Sequence, residues 1–160
     1  MIKLLSKEYN FESTQDKEPS VMEYINKVGV SNILTKFKVN YKSKIENYTG
    51  NIDVYIDLKK NKKGIHMSRI IESINEVVES NNLSKSIEEI ELRILNTLRN
   101  KHEFNIGEIN INTHYFITKP TINTKKFTHE AYEITISVIK EDNIDYKKIK
   151  TTVIGNTLCP

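Results

Sequence analysis

The sequence predicts an α+β chain: one antiparallel four-stranded sheet carrying two helices on one face. Three observations point there. Four segments alternate apolar and polar residues with period two, and two consecutive segments between them repeat with the helical period. The composition is that of a globular domain. It has 38% hydrophobic and 28% charged residues over 160 positions, with a net charge of +3, enough chain to bury a core and too little net charge for disorder.

Residues 1–27 read as an N-terminal arm, because Lys7 to Pro19 is polar and shows no period. The sheet module is expected over residues 28–142. It opens with Val28-Gly29-Val30, and then Phe37, Val39 and Tyr41 alternate with Lys36, Lys38 and Asn40 as a half-buried strand. The polar stretch Asn47–Asn51, with Gly50, reads as a hairpin turn into Ile52, Val54, Ile56 and Leu58. The period then changes. Met67, Ile70, Ile71, Ile74, Val77 and Val78 form the apolar stripe of one helix. After Asn81-Asn82, a capping box of Ser86 and Glu89 starts a second stripe of Ile87, Ile90, Ile94, Leu95 and Leu98. Arg99 and Lys101 suit the end of that helix, and the short connection makes the two helices antiparallel neighbours. Strands return with Ile109, Ile111, Tyr115 and Ile117, where the opposite parity of Phe104 and Ile106 suggests a bulge at Gly107. Tyr132, Ile134, Ile136 and Val138 supply the fourth strand. Residues 143–160 form a C-terminal segment, and the chain stops one residue after its only thiol, which reads as a cut end.

The composition also excludes classes of function. One cysteine leaves no disulfide framework, and no stretch approaches the roughly 18–20 apolar residues of a membrane span. Lysines are scattered rather than gathered in a tract, so nucleic acid is not the expected partner, and the chain is expected in the cytoplasm. Chemistry concentrates in the loop from Lys59 to Arg69. A cation in a first helical turn opposes the helix dipole, so Arg69 is misplaced unless an anion lies near. Backbone N–H groups at a helix start, with Gly64 and Ser68 allowing close approach, could cradle a phosphate; a solvated basic loop is the plainer alternative. His66, His102, His114 and His129 have no partners at helical ligand spacing and read as ordinary polar side chains, as do Glu72 and Glu108.

Several of these residues, in order, carry a resemblance. Thr14-Gln15 with Glu18-Pro19, Val28-Gly29-Val30, Asp53 to Leu58, Lys63-Gly64-Ile65-His66-Met67-Ser68-Arg69 with Glu72, Lys101-His102-Glu103-Phe104 before Glu108, and Val153 to Pro160 follow the pattern of the type IB/type IV GTP cyclohydrolases. The lead-in is closer to the archaeal, methanopterin-making branch. The resemblance implies a tunnelling fold, in which ββααββ modules join across subunits into a barrel, hence a homo-oligomer (dimer or tetramer) with sites shared at interfaces. It implies metal-dependent opening of the guanine ring of GTP, with Fe(2+) expected and Zn or Mn as alternatives. The products would be formate and a dihydroneopterin phosphate, expected as the 2′,3′-cyclic phosphate. Cys159, in the Gly-x-Thr-x-Cys-Pro motif, would be a metal ligand and catalytically important. His66, Ser68 and Arg69 would be first candidates for substrate phosphate contacts. The pattern matches the N-terminal half of such proteins, whose second half carries further metal ligands. The alternative is a non-catalytic module of the same fold that assembles or binds a purine- or pterin-like ligand.

Overall fold

The computed structural model of the chain describes residues 18–121, 126–142 and 144–155. The elements run β1 (Ile25–Tyr41), β2 (Lys44–Leu58), α1 (Met67–Val78), α2 (Ile87–Lys101), β3 (Ile106–Pro120), β4 (Phe127–Glu141) and β5 (Ile144–Thr152). All strand pairs are antiparallel, and the sheet order is β1-β2-β3-β4-β5. Both helices cover one face. There Phe37, Val39, Ile52, Val54, Ile56, Ile109, Ile111 and Val138 meet Ile70, Ile74 and Val77 of α1 and Ile90, Ile94, Leu95 and Leu98 of α2.

The sheet therefore has five strands and not the expected four. The additional strand, β5, lies in the C-terminal segment, outside the residues 28–142 expected to hold the sheet. Every residue of β5 is exposed, so neither face selects apolar side chains and no alternation marks it. Lys147, Lys148 and Lys150 are what an exposed edge tolerates. The first strand also starts at Ile25, inside the expected arm, and contains register shifts between Ile25 and Val28 and between Val30 and Ile33.

Two local expectations are corrected. Asn47 to Asn51 are strand residues paired with Lys38 to Leu34, and the hairpin turns at Lys42 and Ser43, with φ of 48° and 65°. Two successive positive φ values match the strand twist in a tight hairpin, but neither residue is the usual Gly or Asn that announces it. Gly50 instead faces the core, where a Cβ would lie 2.4 Å from the Asn112 carbonyl oxygen. At Gly107 there is no bulge: Ile106 and Gly107 continue β3 in register with Glu141 and Lys140. Glycine is needed because the Phe104 ring packs over it, 2.6 Å from where a Cβ would sit.

The helices keep their stripes with small changes of membership. In α1, Met67 and Ile71 are exposed, while Ser73 is buried and its hydroxyl donates to the Arg69 carbonyl at 2.7 Å. In α2, Glu91 joins the buried face. At the start of α2, Ser86 Oγ accepts from Glu89 N at 3.2 Å, and the Glu89 carboxylate accepts from Lys85 N at 2.7 Å. Ile74 is fully buried between α1 and the sheet, so Ile74→Ala is expected to cost roughly 2–5 kcal/mol, read as a lowered denaturant midpoint with an unchanged slope.

Candidate functional site

Because α1 and α2 run antiparallel, the N-cap of α1 and the C-cap of α2 stand at the same end of the helix layer, and these caps are His66 and His102. Their rings lie 6.1 Å apart between centroids. Arg69, in the first turn of α1, reaches across and donates from Nη1 to the Lys101 carbonyl oxygen at 2.9 Å. That contact resolves its apparent misplacement. The guanidinium sits at the negative end of α2, where a cation is favoured, and one of its five donors is used there. Lys101 itself ion-pairs with Glu76 of α1 at 2.8 Å, fastening the two helices together.

The segment following α2 is held from below by a buried carboxylate. Asp57, at the end of β2, accepts from Asn105 N and Ile106 N, both at 2.7 Å, and from the Tyr24 hydroxyl at 3.0 Å. Lys59 pairs with Glu103 at 3.0 Å, and this keeps the exposed Glu103 carboxyl below its usual range. Arg99 adds bonds to the carbonyls of Asp142 and Asn105 at 2.9 and 3.2 Å and lies over the Phe104 ring. The end of β2, the loop after it and the end of α2 are thus one fixed surface.

His102 is 9% exposed, and its Nδ1 lies 3.2 Å from the Glu103 carbonyl oxygen. A carbonyl only accepts, so Nδ1 carries the hydrogen, and Nε2 of the neutral ring keeps its lone pair. Burial pushes the His102 pKa down; the Glu103 carbonyl works against this, and the neighbouring Arg69, His66 and Lys62 reinforce it. The cluster is therefore electropositive around a neutral imidazole. Such a surface suits phosphate oxygens, with a planar guanidinium as the strongest donor.

The structure brings together His66, Arg69 and His102. Ser68 lies beside them, exposed in the first turn of α1. His114 is exposed on β3, and His129 is exposed on β4 with Nδ1 3.0 Å from the Thr118 hydroxyl. Glu72 is exposed. Glu108 is half-buried: burial alone would raise its pKa, but the Lys27 ammonium at 2.8 Å and the Asn110 amide hold it below the usual range. Cys159 and Thr14-Gln15 lie outside the described residues. Among the described residues no three His, Cys, Asp or Glu side chains converge on a point that could hold a metal. No helix among them is long and apolar enough to cross a membrane.

Comparison with known protein families matches residues 11–160 to the family described as GCHY-1, type I GTP cyclohydrolase folE2. The chain belongs to this family. The chain is 37% identical over 153 residues to the protein named GTP cyclohydrolase MptA from Pyrococcus abyssi (strain GE5 / Orsay), covering 92% of this chain and 58% of that protein. The protein of the same name from Thermococcus kodakarensis is 36% identical over 157 residues, covering 94% and 59%. That from Methanosphaera stadtmanae is 33% identical over 159 residues, covering 94% and 51%. This cyclohydrolase-family chain thus spans between half and three fifths of the length of these curated relatives.

Proposed function

We propose that the chain acts as part of a cytoplasmic GTP cyclohydrolase of the pterin-forming type, and that the His66–Arg69–His102 surface receives the phosphates of GTP. The observation that carries the reading is the convergence of the Lys63–Arg69 block with His102 on one electropositive helix end. Family membership and the relatives named GTP cyclohydrolase MptA support a GTP cyclohydrolase. The proposed reaction is hydrolytic opening of the guanine ring with release of formate, and the proposed product is a dihydroneopterin cyclic phosphate. In this reading Arg69 and Ser68 hold phosphate oxygens, His66 flanks them, and Arg69 is aimed by its bond to the Lys101 carbonyl.

The described residues do not by themselves fit a metal centre. The proposed assignment is that Cys159 is the thiolate ligand contributed by this chain, to a divalent ion for which Fe(2+) is the first choice. A chimera in which this chain replaces the matching region of the Pyrococcus abyssi relative is expected to release formate from GTP with Fe(2+) supplied. The same chimera with Cys159→Ser is expected to lose both activity and bound metal. A folded, assembled chimera that binds GTP and releases no formate would favour the non-catalytic binding module instead.

The proposed assembly is a homo-oligomeric tunnelling fold. Among the described residues β1 and β5 are the edge strands of the five-stranded sheet, β1 being paired on its outer side at Val39 and Asn40 with Ser84, and Ile144, Tyr146 and Ile149 of β5 are exposed. Pairing such edges between subunits would remove them. Sedimentation at micromolar concentration is expected to show a species larger than the monomer; a strict monomer would contradict the assembly.

A further inference from the structure

We infer that His102 is a further phosphate-binding residue of this site, one that becomes an imidazolium as the anion docks. The inference rests on the phosphate reading above and deepens it. His102 caps the end of the opposite helix from the Lys63–Arg69 block, and the antiparallel packing puts its ring beside His66. Its Nδ1–H is committed to the Glu103 carbonyl, which fixes the ring orientation and leaves Nε2 as the atom able to change state. With Nδ1–H retained, protonation at Nε2 creates a second donor, so the ring can bond a phosphoryl oxygen that the neutral form would repel with its lone pair.

The charges around the ring set the direction of the change. Arg69 and His66 face it from α1 and its cap, and Lys62 from the loop before α1; all three disfavour the imidazolium in the free chain. On its own segment the Glu103 carboxylate is turned to Lys59 and exposed. A phosphate held by Arg69 places negative charge beside the ring and reverses the balance, so a proton from solvent moves to Nε2 on binding. By linkage, binding that takes up a proton strengthens as pH falls.

Inorganic tripolyphosphate is the probe, titrated calorimetrically into the chain between about pH 6 and pH 8 in two buffers of different ionisation enthalpy, which counts the protons taken up. His102→Asn keeps a donor for the Glu103 carbonyl and removes Nε2. Titration of the probe itself is common to both proteins, so their difference isolates His102. The wild type is expected to take up more protons than the variant at neutral pH and to bind roughly tenfold more tightly near pH 6.5. Equal proton uptake and equal affinity would overturn the inference while leaving the phosphate site standing. No binding of tripolyphosphate by the wild type at any pH would overturn the site reading itself. Should the Asn variant fail to fold, the His102 ring proton resonance in the wild type decides the matter. Its titration midpoint must rise when tripolyphosphate is added, and an unmoved midpoint overturns the inference.

Discussion

Glu91→Leu is expected to stabilise the chain by roughly 2–4 kcal/mol near pH 8, measured by denaturant unfolding. Glu91 lies in the buried stripe of α2, fully inaccessible, with neither carboxyl oxygen in a hydrogen bond. Burial pushes its pKa from the ordinary 4.5 up to about 9. The backbone of Ile111 opposes that without reaching hydrogen-bond geometry, and the charge of Glu88 adds to it. The folded state therefore holds a proton that the unfolded chain releases. The stability this lends is complete below about pH 4.5 and is lost as pH rises toward about 9. The wild type should lose up to ~1.4 kcal/mol per pH unit across that window relative to Glu91→Leu. Parallel pH profiles for the two proteins would show that the carboxyl is not held neutral in the core.

The opposite extreme is expected at Gly29. An alanine there should cost roughly 3 kcal/mol or more, or prevent folding altogether. Gly29 pairs with Tyr55 between the two register shifts of β1, and a Cβ would lie 1.9 Å from the Val54 carbonyl oxygen. That atom is backbone in a central strand and has no rotamer by which to withdraw. Gly155→Ala, where nothing lies within 4 Å, is the control and should leave the unfolding midpoint unchanged. Equal midpoints for the two variants would mean that β1 is not seated on β2 as described.

What could be read from the sequence follows burial. α1, α2, the second half of β2 and the first half of β3 each have one buried face, so a single period runs through them and locates them. The turn at Lys42-Ser43 could not be read, because its positive φ angles fall on residues without the composition of a turn. β5 could not be read because an edge strand exposed throughout imposes no pattern. Glu91 was hidden for a different reason: a carboxylate among isoleucines looks solvated until its neighbours enclose it. For the site, the Lys63–Arg69 block stood out through the misplaced charge of Arg69. His102 did not, since no local spacing links it to His66. Yet the clue was present: two antiparallel helices place the first cap of one beside the last cap of the other, and both caps are histidines. The bond from Arg69 to the Lys101 carbonyl, by contrast, is a tertiary contact that no pattern announces.

The central claim, that this helix end receives the phosphates of a guanine nucleotide, is tested most directly by following backbone amide resonances of the labelled chain. GTP, inorganic tripolyphosphate and guanosine are titrated separately. GTP and tripolyphosphate are expected to perturb the same amides, those of Lys59 to Arg69 and Lys101 to Glu103. Guanosine should leave that set unmoved, and Arg69→Ala should weaken the response to both phosphate ligands by roughly tenfold or more while preserving the fold. A GTP response that spares these amides, or an Arg69→Ala chain that binds GTP as tightly as the wild type, would contradict the account.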